Sequence, residues 1–431
     1  EAVAFLKEVY RKSPEVKRWL NRESFEKVTL NVEYDVMLAK LLRAEPDSEH
    51  FRIVRQTDRR EMNLLHHAAE RGNFESVKVI LDLLPESKRV QLLGTTYGRG
   101  RSLFDAAIRS KDIECVEYLL GIYPESGRLK VLKDRRLLHV AADSGDVEWI
   151  RTILELYPKS ERQDVVRMQD SYGRTVLGRS VDSGSPEAIQ FVLSLYPESE
   201  RFKVVSKQNQ NGGTLLHDAA GSNHSDTSYN IACIKVILSL YPEADRVQAL
   251  SKQSHMGETV LLFAARDGNF EIFKFILGLF PESQRLQAVS VQDREGYTAL
   301  HHAAVSNNIE WIDTILSIYP SESERLQALN VQTNSGETVL HYATRSYNPV
   351  CLKPLLSLYP ESQLLEVVST RDRQGRTVLD HLNSHYVFKK TRHSIMKLLS
   401  KSESLGIILS ENHESNKSCR RCRCSSVARF K

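Results

Sequence analysis

No run of about 18 apolar residues occurs anywhere in the 431-residue chain, so no membrane-spanning helix is expected. A phosphate-binding G-x-x-x-x-G-K-S/T loop, a G-x-S-x-G elbow, a kinase motif set and an H-E-x-x-H pair are all missing. These absences leave no candidate catalytic residue, no cofactor and no small-molecule substrate, and no enzymatic activity is expected. An excess of one charge is missing from most of the chain. The formal net charge is +4. Residues 411–431 account for it, with Lys417, Arg420, Arg421, Arg423, Arg429 and Lys431 against Glu411 and Glu414. The neutral remainder argues against nucleic acid as a partner, because phosphate binding needs a concentrated basic surface. Cysteine is sparse, at six residues. Cys115, Cys233 and Cys351 each stand nine residues before a proline, where other copies of the same pattern carry Trp149, Ile272 or Trp311. The position is an apolar packing site, and stacked helices would hold these thiols about 25–30 Å apart, too far for a disulfide. A reducing, cytoplasmic setting is expected.

What the chain does have is a repeat. Residues 298–337 read TALHHAAVSNNIEWIDTILSIYPSESERLQALNVQTNSGE, and Thr338-Val339-Leu340-His341 starts the pattern again. Thr298 is placed to cap a short helix whose Ala299, Leu300, Ala303 and Ala304 make a face of small residues. Asn307-Asn308 breaks it as a turn. Ile309, Trp311, Ile312, Ile315 and Leu316 then recur at helical spacing, which predicts a second, antiparallel helix. Pro320 ends that helix and suits the first turn of a third, with Leu326 and Leu329 facing in and Glu322, Glu324 and Arg325 facing out. Asn330 to Glu337, with Gly336, is a polar turn.

Copies begin at Asn63, Ser102, Arg136, Thr175, Thr214, Thr259, Thr298, Thr338 and Thr377, at intervals of 39, 34, 39, 39, 45, 39, 40 and 39. A degenerate copy occupies 24–62, and residues 1–23 read as an N-terminal helical cap. In the short interval the Gly-containing turn is lost, and Arg136 leads directly into Leu137-Leu138-His139. In the long interval a polar insertion within Gly221–Asn230 is expected as a surface loop. The repeats run to about 410, and 411–431 is expected to be a disordered basic tail.

The motif T-x-L-H-x-A-A followed by a second helix resembles the ankyrin repeat, whose pattern is T-P-L-H-x-A. This sequence departs from that family in three ways. The proline after Thr is missing, the period is mostly 39 against 33, and a Y-P-E-S-x-R-x-Q-A-L block is added. The fold class that follows is all-α, an ankyrin-type repeat solenoid with an extra short helix per repeat. The added block is similar to ankyrin-repeat effectors of intracellular bacteria of the Legionella type, which would place the protein in a host cell's cytoplasm.

The family resemblance implies a scaffold or adaptor that binds a partner protein through the turns and the exposed side of the first helices. It also implies that the motif histidines His66, His139, His217, His301 and His341 are structural. The residue after each motif His turns aromatic from Phe263 through His302 and Tyr342 to His381. An exposed row of rings, rimmed by Arg266 and Arg345, is the expected partner-binding surface. Packing of these rings against neighbouring helices is the other reading. His381 and His385 share a helix face, but with His393 they lack a further ligand, so no metal is expected. Cys419, Cys422 and Cys424 among arginines are candidates for lipidation, which would attach the chain to a membrane. Two alternative functions stand beside the adaptor: a targeting arm for a catalytic domain upstream of residue 1, and a lipid-anchored adaptor.

Overall fold

Four devices recur among the repeats, and their residue types are written in the sequence. The computed structural model describes residues 51–384, apart from 52–53, 56, 58–59, 98–99, 222–225 and 346–349. The expected cap at 1–23, most of the degenerate copy, the tail cysteines Cys419, Cys422 and Cys424, and His385 and His393 lie outside the described residues. The chain divides into two compact units, 1–204 and 205–431. Among the described residues, first helices start at Leu64, Leu103, Leu137 and Val176 in one unit. They start at Leu215, Val260, Ala299, Val339 and Val378 in the other. Three helices make a repeat in both units, and β-structure is confined to the hairpin Thr96–Tyr97/Arg101–Ser102 and two isolated bridges among these residues.

The first device caps the first helix, Ala299–Ser306 in the repeat of Thr298. The Thr298 N–H donates to His301 Nδ1 at 3.1 Å, and the Thr298 hydroxyl lies 2.9 Å from the same nitrogen. Thr214/His217 and Thr338/His341 repeat both bonds. In two repeats the far nitrogen of the ring reaches a backbone carbonyl of the following turn, His217 at Glu258 (3.1 Å) and His139 at Met168 (2.9 Å). Burial pushes His139 and His301 down to about 4, so both rings are neutral at pH 7. The motif histidine is a structural bracket.

The second device is the turn between the first two helices. A left-handed residue (Gly72, Lys111, Gly145, Gly184, Gly268 or Asn307) ends the first helix. The next residue, Asn73, Asp112, Asp146, Ser185, Asn269 or Asn308, caps the second helix by accepting from the N–H three positions on. The second helix, Ile309–Leu316 in this repeat, buries Trp311, Ile312, Ile315 and Leu316. Cys115, Cys233 and Cys351 are buried at the Trp311 position, and burial pushes the thiols of Cys115 and Cys351 up to about 12 and about 11.

The remaining two devices attach the third helix. In the Y-P-E-S-x-R block the arginine turns back onto the carbonyl just before the proline. Arg89, Arg128, Arg162, Arg201, Arg285 and Arg325 all make this bond, at 2.8 to 3.3 Å. The tyrosine of the block reaches the end of the preceding repeat's third helix. Tyr157, Tyr196 and Tyr241 donate to the carbonyls of Leu132, Val166 and Val205 at 2.9 to 3.2 Å. Tyr319 meets the Ser290 hydroxyl and Tyr359 the Asn330 side chain. The added block therefore bonds both within its repeat and to the one before. Of the two leucines expected to face in, Leu329 is fully buried and Leu326 only half, because the short helix lies at the edge of the stack.

Part of the insertion expected as a surface loop is helical, and residues 222–225 lie outside the described residues. Thr227–Ser239 is one 13-residue helix, so the insertion's last residues lengthen the second helix at its start. Asn230 is buried there and donates its side-chain amide to the Ala219 carbonyl at 2.8 Å.

Candidate functional site: the turn row and first-helix column of residues 205–384

Between the third helix and the next capping Thr, each turn has a fixed form with glycine fourth and Thr sixth. Gly212, Gly257, Gly296, Gly336 and Gly375 have φ between 73° and 86°, a region where a Cβ is strained. The first side chain of the turn closes it over two N–H groups. Asp293 accepts from Glu295 and Tyr297, both at 2.9 Å, and Asp372 from Gln374 and Arg376, both at 2.8 Å. Successive tips are joined by one backbone bond each. The N–H groups of His255, Arg294, Asn334 and Arg373 donate to the carbonyls of Asn211, Met256, Glu295 and Ser335 at 2.7 to 2.8 Å.

Two turns, Ser254–Thr259 and Thr333–Thr338, carry no acid at the first place and a glutamate at the fifth. Both glutamates are buried, and each is matched by an arginine eight residues on. Arg266 donates to Glu258 at 2.6 Å and Arg345 to Glu337 at 2.9 Å. Each arginine lies over the aromatic residue of its own first helix, with 4.0 Å from the guanidinium carbon to the ring centre of Phe263 or Tyr342. At Asp170 and Asp372 the residue nine on, Arg179 or His381, is the basic partner. His381 Nε2 is 3.0 Å from Asp372 Oδ2, and Arg376 donates to the same oxygen at 2.9 Å.

Burial alone would raise both glutamates. Glu258 is raised, with Arg266 only partly opposing desolvation. For Glu337 the hydroxyls of Ser335 and Tyr342 join Arg345, outweigh desolvation, and hold the carboxyl below its usual value. Asp372 is held well below the carboxylate range against desolvation, by His381 and by the N–H and guanidinium of Arg376.

This geometry corrects the expected row of exposed rings. Tyr342 and His381 are each 2% exposed. The Tyr342 hydroxyl donates to Tyr297 (2.7 Å) and lies 2.9 Å from Glu337, while the Tyr297 ring stacks on His302 at 5.4 Å. His302 is half-buried, and desolvation, aided by His301 and Arg266, lowers it to about 4. The Phe263 ring is half-buried between Arg266 and the backbone of Gly221, edge-on to His217. Of the six residues, only Arg266 and Arg345 are exposed. The column is a buried and half-buried ladder that joins three successive turns.

Glu258, Tyr297, Glu337 and Asp372 escaped the sequence reading. For Glu258 and Glu337 the signal is the move of the acid from first to fifth place, with Arg eight residues later. Glu337, Asp372 and His381 bring three ligand-type atoms within 4.8 Å of one another. Arg345 and Arg376 already neutralise both carboxylates, so the group is an ion-pair network. His381 faces these acids.

The comparisons meet the geometry at this point. A family model described as ankyrin repeats (3 copies) matches residues 103–203 and 227–324. These two segments are similar to ankyrin repeats. The ankyrin repeat domain of Bcl-3, a member of the IkappaB protein family, is similar over 60% of this chain and 97% of its own. The two share 17% identity with a TM-score of 0.37. No curated protein matches the chain. The fold is all-α, an ankyrin-type repeat solenoid with an extra short helix in each repeat, and ankyrin repeats are protein–protein interaction modules.

Proposed function

We propose that the chain is a non-catalytic adaptor that binds a partner protein through the turn tips of residues 205–384 and the exposed arms of the first helices beside them. The observation that carries this reading is the bonded row of tips. Four backbone bonds of 2.7 to 2.8 Å hold the tips in line before any partner arrives, which lowers the ordering cost of binding. Met256 stands in that row at 49% exposure, flanked by exposed Arg294 and Glu295, and Val305 is 45% exposed on the first helix. Apolar contact with a charged rim is what a protein surface recognises. The aromatic rings support this surface from beneath. The similarity of the Y-P-E-S-x-R helix to bacterial effectors favours a partner in a host cell's cytoplasm.

The test compares the wild-type chain with a Met256→Ser, Arg294→Glu, Val305→Ser variant in affinity capture from a eukaryotic lysate, read by quantitative mass spectrometry. Loss of specific partners at an unchanged Tm supports the proposal. Capture of the same set by both proteins removes this face.

A further inference from the structure

The third helices carry two equivalent crevices. One, of about 170 Å³, lies between the end of Arg246–Leu250 and the helix Glu282–Val289. The other, of about 240 Å³, lies between Glu282–Val289 and Glu322–Leu329. Thr259, Phe280 and Gln287 line the first at the positions where Thr298, Tyr319 and Gln327 line the second. Phe280 and Tyr319 are buried, so each crevice has an aromatic ring in its wall.

Both crevices are bordered by polar groups that the chain leaves unused. Gln287 and Gln327 are exposed, and neither side-chain amide is bonded among the described residues. Glu324 stands in the wall of the larger crevice, where its carboxylate meets only the N–H and hydroxyl of Ser321. Glu282 is exposed one turn before Leu286, which lines the same crevice. Neither acid has an ion pair among the described residues. The arginines of these helices, Arg285 and Arg325, are turned instead onto the carbonyls of Phe280 and Tyr319, at 3.2 and 3.3 Å.

We propose that these crevices bind a proline-rich segment of a partner protein, held as a polyproline II helix with a basic residue beside its anchors. Spacing decides the conformation. Stacked helices repeat at about 8–10 Å. A polyproline II helix rises about 9.3 Å in each turn of three residues, so every third side chain faces the same way at the spacing of the crevices. A strand repeats its face every ~6.6 Å. An α-helix across the interval would seat an intervening turn on Glu282–Val289, which separates the crevices. Hydrogen bonding points the same way. Polyproline II leaves its carbonyls without internal partners, and Gln287 and Gln327 offer one amide donor at each crevice, again one for every three residues. Charge decides for the basic residue, which meets Glu282 and Glu324 at the larger crevice. None of Met256, Arg294 and Val305 lines either crevice, so this surface does not depend on the face proposed above.

The probe is a fluorescently labelled Arg-Arg-Pro-Leu-Pro-Pro-Leu-Pro-Pro-Leu peptide, with Leu at every third place, titrated against the full chain by anisotropy. Saturable binding with Kd below about 100 μM is expected. Arg-Arg-Pro-Leu-Pro-Leu-Pro-Leu-Pro-Pro has the same composition but turns its leucines to different faces, and is expected to bind at least about fivefold more weakly. The first peptide with Gln in place of both Arg is expected to lose about fivefold through charge. In the protein, Gln287→Ala with Gln327→Ala removes both donors at exposed helical positions, keeps the fold, and is expected to lose about tenfold. Absence of saturable binding, equal binding of either altered peptide, or an unchanged Kd in the double variant overturns the proposal.

Discussion

Gly221 lies beneath the Phe263 ring, and a Cβ built there would meet Phe263 Cε1 at 2.3 Å and Asp267 Oδ2 at 2.5 Å. Glycine to alanine near a helix end ordinarily stabilises by about 0.5–1 kcal/mol. Here the ring must move off His217 and Arg266. Gly221→Ala is therefore expected to destabilise by about 1–3 kcal/mol, the overpacking range, in urea unfolding. A gain in stability would mean that Phe263 is free to swing out, as an exposed anchor would be. At this scale the sequence was partly legible. The motif histidines read correctly as structural through the resemblance to ankyrin repeats, and their bond to the Thr three residues before is local. Exposure or packing of Tyr342 stayed open in the sequence, because its burial depends on Tyr297, 45 residues away, and on a glutamate whose place in the turn varies between repeats. A residue's exposure in a stack belongs to its neighbours as much as to itself.

The third helix shows what one hydroxyl does for an element. Five repeats use the tyrosine before proline to bond the preceding repeat, and the repeat of Thr259 has Phe280 there instead. Its counterpart partner is available: Ser251 stands where Ser290 meets Tyr319, and bonds only its own helix. Phe280→Tyr is expected to raise stability by about 0.5–1.5 kcal/mol, the net worth of one hydrogen bond, shown as a higher urea midpoint with unchanged m-value. An unchanged or lower midpoint would show that the tyrosine bonds are incidental. Most elements were legible here, since helical periodicity, Pro breaks and Asn/Asp caps are local signals. The insertion misled because a polar stretch, GSNHSDTSYN, reads as loop unless something accepts its side chains. In the structure Asn230 donates to the Ala219 carbonyl and Asp226 caps the lengthened helix.

Within residues 205–384, the repeats are linked through their turns as well as through helix packing. In residues 205–384 the ladder runs from Tyr297 and His302, through Glu337, Tyr342 and Arg345, to Asp372, Arg376 and His381. The repeat architecture was legible from period alone, whereas the division into two units and the ladder both rest on contacts between repeats. The central claim is that this ladder supports the stack rather than gripping a partner. Native-state hydrogen exchange of Glu337→Ala tests it most directly, because Glu337 meets Tyr342, Arg345 and His381. Faster exchange, by about tenfold for each 1.4 kcal/mol lost, is predicted in Ala299–Ser306, Val339–Ala343 and Val378–Ser384. Leu103–Arg109, in the other unit, should keep its protection. Unchanged exchange in all three helices would contradict the account and return these residues to the role of a surface array.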